Sequence, residues 1–143
     1  MGLTAPLILT DDSVRALFAH EGWPFEKLVD NVWRTWLETS HGEPVPIVVR
    51  MDTESGFVRF AVVPFLASPK DTAQATALYE RLLVLNRGMT LAKYSIDDDL
   101  DVFLSVEYPA VALDVSEFHD ALQALGHYLA RDLRELRALA GAD

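Results

Sequence analysis

The apolar positions of this chain change period several times along its length. Val14, Leu17 and Phe18 recur at helical spacing behind Thr10, Asp11 and Asp12, a side-chain cap with acids in the first turn, and Gly22 stops that run. From Val32 the period drops to two. The stretch "VWRTWLET" sets Trp33, Thr35 and Leu37 against Arg34, Trp36 and Glu38, and "SHGEP" turns it. The runs "PIVVRMD" and "FVRFAVV" are β-branched and aromatic, are joined by "TESG" as a hairpin, and predict two more strands, with Pro64 ending the third.

Helical spacing returns in Ala75, Leu78, Leu82 and Leu85. "SPKD" opens this helix, with Ser68 as its cap, Pro69 at the first helical position and Asp71 completing a capping-box-like arrangement; Asn86 to Gly88 closes it. Two short alternating runs, "AKYSI" and "DVFLSVEY", follow. "DVSE" then caps a long last helix that buries Phe118, Leu122, Leu125, Leu129, Leu133 and Leu136. The expected order is α-β-β-β-α-β-β-α. This is an α+β fold in one domain over residues 1–143, an antiparallel five-stranded sheet with helices packed on one face.

Four aspartates, Asp97, Asp98, Asp99 and Asp101, stand between the last two strands. Carboxylates this close raise the question of a metal. A calcium loop starting at Asp97 has Val102 where a glycine is needed at its sixth position, and Tyr108 where the bidentate glutamate belongs at its twelfth. A looser magnesium site lacks a second acidic cluster. Aspartate side chains bond local backbone N–H groups, and charge at a loop tip discourages edge pairing, so the segment reads as a solvated hairpin turn.

The same scrutiny removes most enzymatic chemistry. The chain has no cysteine, which excludes disulfides and thiolate sites and fits a reducing cytoplasm. His119 and His127 are eight residues apart on the last helix, missing the spacing of a helical zinc pair; His20 and His41 fall at a helix end and in a turn. No G-x-S-x-G elbow or phosphate loop is present, and Ser40–His41 and Ser55 lie in turns. The reading is of no catalytic residues, no metal and no cofactor.

Charge narrows the partners. The formal net charge is −10, with nine acids and six bases in residues 1–70 against thirteen acids and six bases in residues 71–143. Such a field repels phosphate backbones and anionic membranes and favours encounter with basic proteins, among them nucleic-acid-binding ones. The N-terminal "MGLTAPLILTDD" lacks a basic region, Pro6 spoils a myristoylation signal, and "FAVVPFLA" is far short of the roughly 20 residues of a membrane helix. A cytoplasmic protein without a membrane segment is expected.

The informative feature is a face. If Val49, Phe60, Leu104 and Val106 point at the helices, alternation puts Arg34, Trp36, Arg50, Arg59, Lys93, Phe103 and Glu107 on the other side. Four of the twelve basic residues then share one surface with two large aromatics. Arginine and tryptophan are favoured anchors, so Arg34, Trp36, Arg50, Arg59, Lys93 and Phe103 are the candidate partner-binding residues. A plain solvated face, or one covered by a second copy, is the bland alternative. Arg131, Arg134 and Arg137 on the last helix read as cations favoured at a helix C-terminus, with Arg131 spaced to pair with Glu135.

The segment "LYERLLVLNRGMTLAKYSIDDDLDVFLSVEYP" carries a resemblance. A helix ending in Leu85–Asn86, a strand containing Lys93, an Asp-rich hairpin and the strand Val102 to Tyr108 are similar to the YbjN-like family, which shares its fold with the type III secretion chaperones. The resemblance spans nearly the whole chain in element order and is specific mainly over residues 78–130. It implies a non-enzymatic homodimer that binds other proteins, commonly extended segments, as a chaperone or regulator. It carries over no catalytic residue and gives Leu85, Asn86 and the aspartate hairpin a structural role. Trp33 and Trp36 are not part of its pattern. The rival reading is a small-ligand-binding or hydrolytic cone-shaped α+β domain, which needs inward-facing polar residues on the strands.

Overall fold

The computed structural model describes residues 9–39 and 43–141. Helix α1 spans Asp11–Glu21, capped by the Thr10 side chain and closed by Gly22 in the left-handed region, as its sequence predicts. Strands β1 (Phe25–Val29), β2 (Val32–Glu38), β3 (Pro44–Asp52) and β4 (Phe57–Ala67) follow, then α2 (Thr72–Arg87), β5 (Ala92–Ile96), β6 (Asp101–Pro109) and α3 (Val115–Leu139). A short 3-10 turn, Ala110–Ala112, leads into α3. No described helix is long and apolar enough to cross a membrane.

The sheet is antiparallel in all its pairings, with six strands in the order β1-β2-β3-β4-β6-β5 rather than the five expected. The extra strand is β1. Only Phe25 of its five residues is partly buried, so its outward residues give no two-residue alternation to read. What holds β1 is tertiary: Phe25 stacks on Phe18 of α1 with ring centroids 4.7 Å apart.

Two helix and strand ends also differ from the sequence reading. Strand β4 runs through Pro64 to Ala67, because a register shift between Val62 and Leu66 lets the chain pass the proline, which has no N–H for the ladder. Helix α2 is capped by Asp71, whose carboxylate accepts from the Gln74 N–H at 2.9 Å. Ser68 lies outside the helix. Its hydroxyl donates to the Leu100 carbonyl and accepts from the Tyr79 hydroxyl at 2.8 Å, so it ties α2 to the β5–β6 turn.

All three helices cover one face. The inward row Trp33, Val49, Phe60, Val106 and Ala92 crosses β2 to β5 in direct register and is buried throughout. Phe118 of α3 meets Phe18 and Phe60 edge-on at 4.9 and 5.5 Å, joining α1, α3 and the sheet in one core. Phe118, Leu122, Leu125, Leu129 and Leu136 of α3 are buried as predicted, while Leu133 is only partly so.

Asp97 to Asp101 is the hairpin turn between β5 and β6. One oxygen of Asp97 accepts from the backbone N–H groups of Asp99 and Asp101, both at 2.9 Å, and Leu100 takes the left-handed conformation. The turn expected around "SHGEP" includes Ser40, His41 and Gly42, which lie outside the described residues, as does the N-terminal stretch before Leu9.

Candidate protein-binding face

Backbone register decides which residues share the sheet's outer face. Cα partners place Arg34, Val48, Ala61, Ser105 and Lys93 in one row across five strands. The row Val32, Arg50, Arg59 and Glu107 lies beside it. Trp36 sits opposite Pro46, and Phe103 opposite Ser95. The structure thus brings all six predicted residues, Arg34, Trp36, Arg50, Arg59, Lys93 and Phe103, onto the face away from the helices. Val49, Phe60, Leu104 and Val106 point the other way and are buried.

The face is not flat. Ala61 and Ser105, the two small residues of its first row, are 4% and 0% exposed although they face away from the helices. Longer neighbours close over them. Glu107 accepts from Lys93 at 2.8 Å and lies 3.5 Å from Arg59, whose guanidinium stands 5.8 Å from the Phe103 ring centre. At the other end Arg34 pairs with Glu26 of β1 and stands 5.3 Å from the Trp36 ring centre. The Lys93 ammonium, outweighing partial burial with help from Arg59, holds the Glu107 carboxyl below the usual carboxylate range.

The two edges of the sheet differ. On β5, the side chain of Asn86 at the end of α2 donates to the Tyr94 carbonyl at 3.0 Å and accepts from the Tyr94 N–H at 2.7 Å. An amide side chain thus takes the place of a neighbouring strand. This gives Asn86 a structural role, one that spacing along the sequence has no means of revealing. On β1 no described residue pairs with the outer edge, and Leu28 and Val29 are exposed beside it. This edge went unpredicted because the strand itself did.

The arginines of α3 are arranged otherwise than expected. Glu135 pairs with Arg81 of α2 at 2.6 Å, not with Arg131. Arg131 instead turns to the buried Asp132, its Nε and Nη2 reaching the two carboxylate oxygens at 2.6 and 2.8 Å, and stands 4.7 Å from the Tyr128 ring centre. The polar groups facing the core are engaged as well. The Thr35 hydroxyl donates to the Pro24 carbonyl at 2.6 Å, and Asp132 accepts from Tyr94.

This α+β fold, an antiparallel sheet with helices on one face, is similar to that of chains in type III secretion chaperone–effector complexes. It matches a chain in the heterodimeric ExoU–SpcU complex from the type III secretion system of Pseudomonas aeruginosa, with a TM-score of 0.59 and 22% identity over 87% of this chain and 95% of that one. A chain of the ExsC–ExsE complex matches with a TM-score of 0.59 and 16% identity over 87% and 94% of the two chains. A chain of the HopA1–SchA chaperone–effector complex matches with a TM-score of 0.56 and 14% identity over 84% and 88%. No family model matches the sequence, and no curated protein does.

Proposed function

We propose that this chain is a non-enzymatic, chaperone-like adaptor of the cytoplasm that holds an extended apolar segment of a partner protein. The segment adds as a strand to the outer edge of β1 and continues across the outer face past Trp36 and Arg34. The observation that carries this reading is the asymmetry of the sheet: Asn86 fills the β5 edge, while β1 offers its backbone groups beside exposed Leu28 and Val29. The similar solved structures are each complexes of two proteins, one of them named as chaperone and effector, which supports a protein-binding role.

In this reading the adaptor is a homodimer, as the YbjN-like resemblance implies. The second copy covers the outward side of α2, where Leu83 and Val84 are 70% and 57% exposed. The net charge of −10 suits a partner that is basic as a whole, such as a protein that itself binds nucleic acid.

The test is hydrogen exchange on the complex with a partner captured from the host and then purified. Protection at the amides of β1 and on the outer face, together with weaker capture by Trp36→Ala and Arg59→Glu, supports the reading. Unchanged exchange in β1 and unchanged capture by both variants would sink it.

A further inference from the structure

Taking the outer face as the docking surface, we propose that the extended segment lying on it carries carboxylates between its apolar residues, and that Glu107 is a built-in occupant of the seat those carboxylates take. Over the two central rows the local charge is opposite to that of the whole chain. Arg34, Arg50, Arg59 and Lys93 occupy the two central rows with Glu26 and Glu107 as their acids, a surplus of positive charge in a protein of net −10. Arg50 stands directly opposite Arg59 in the β3–β4 register and makes no ion pair with any described residue. Like charges in that position repel, so a carboxylate arriving between them relieves a strain the fold leaves in place.

Glu107 already satisfies two of the cations, Arg59 and Lys93, from the far side of the same row. Two polar atoms on this face are buried without a partner: the hydroxyl oxygen of Ser105 and Nε of Arg34. Both can donate, and a donor left buried calls for an acceptor. Both atoms lie beneath other side chains, so the carboxylates or backbone carbonyls of an arriving chain reach them only by displacing those side chains. The other acids on this face lie at its margins. Glu38 and Asp101 are at strand ends, and the Asp52 carboxylate accepts from the N–H groups of Glu54 and Ser55.

A nucleic-acid strand is also anionic, but it fits less well. Trp36 and Phe103 each already have a guanidinium within 6 Å of the ring centre, so their faces are engaged by Arg34 and Arg59 rather than open to a base. The field of a −10 chain also opposes an approaching phosphate backbone, within a screening length of about 8 Å at physiological salt. A partner that is basic overall is steered in by that distant field, and its acidic segment is then selected within a few ångströms of the face.

The test uses a labelled extended peptide alternating glutamate with valine and phenylalanine, the same peptide with lysine for glutamate, and a labelled oligothymidylate, read by fluorescence anisotropy at low and high salt. The glutamate peptide is expected to bind better than the lysine peptide. Arg59→Glu and Arg50→Glu should weaken it about tenfold each, and Glu107→Gln should tighten it about threefold by freeing Arg59 and Lys93. Misfolding does not tighten binding, so the opposite signs separate recognition from damage. A preference for the lysine peptide, tight oligothymidylate binding, or a Glu107→Gln variant that binds no better than the unaltered chain would overturn the proposal. If Trp36→Ala weakens capture of the natural partner while none of the charge changes matters, the face stands as a docking surface and only its acidic preference falls.

Discussion

The hydroxyl of Tyr94 donates to the carboxylate of Asp132 at 2.7 Å, joining β5 to α3 through two residues that are 4% and 3% exposed. Burial alone would push the Asp132 carboxyl up, but Arg131 and Tyr94 together outweigh it and hold it below the ordinary carboxylate value. Burial, then the hydrogen bond to Asp132 and that group's negative charge, push the Tyr94 phenol well above its usual value. Removing the phenol leaves a buried charge with one donor fewer. Tyr94→Phe should therefore cost about 1–3 kcal/mol in chemical denaturation at neutral pH.

The pH dependence follows from the same pair. Asp132 is depressed in the folded state, so its contribution is complete above the unfolded carboxylate pKa of about 3.9 and is lost as pH falls through the lower folded value. Tyr94 is raised, so its contribution holds below about pH 10 and fades as pH climbs above that. Asp132→Asn should flatten the acid limb of a stability–pH curve measured by urea unfolding. An acid limb as steep as that of the unaltered chain would show that other carboxylates dominate it.

Asn86 predicts a local effect. Asn86→Ala leaves the N–H and carbonyl of Tyr94 without their bonds of 2.7 and 3.0 Å. The expected cost is about 1–3 kcal/mol, with faster hydrogen exchange at the Tyr94 amide and a greater tendency to associate through the bared edge. Exchange at β1 should not change.

Within the aspartate hairpin the effects should be unequal. Asp97→Ala removes the acceptor of two turn N–H groups and should cost about 1 kcal/mol, whereas Asp97→Asn keeps an oxygen there and should cost less. Asp98, exposed at the tip, should tolerate asparagine without a measurable change in melting temperature.

The proposed dimer has its own readout. Leu83→Glu combined with Val84→Glu puts charge on the exposed side of α2 without touching the core. Sedimentation velocity should show a dimer for the unaltered chain and a monomer for this variant, with the circular dichroism spectrum unchanged. A monomer in both cases would remove the homodimer from the proposed function.

Much of this architecture is legible in residue patterns, because most elements carry their own local signals. Thr10, Asp114 and Gly22 announce helix ends, and Trp33, Val49, Phe60 and Val106 alternate with polar neighbours wherever one side of a strand faces the core. The outer-face cluster is legible for the same reason: once the buried set is known, Arg34, Arg59 and Lys93 have nowhere else to point. What resists reading depends on distant contacts. Strand β1 is held by Phe18 and by pairing to β2, not by its own alternation. Ser68 looks like a helix cap until Leu100 and Tyr79 claim it. Arg131 has Glu135 at helical spacing but finds a stronger acceptor in Asp132, which needs a donor once it is buried. Asn86 matters only because the fold carries β5 past it.

The Asn86 clasp also sets a limit on growth. A sheet that could be extended from both sides could pass strands from molecule to molecule into a fibre, since each addition would present a fresh edge. Among the described residues only the β1 side is left open, so in the proposed adaptor strand addition would stop after one step, at a single guest strand. In that adaptor one amide side chain would make strand addition self-limiting.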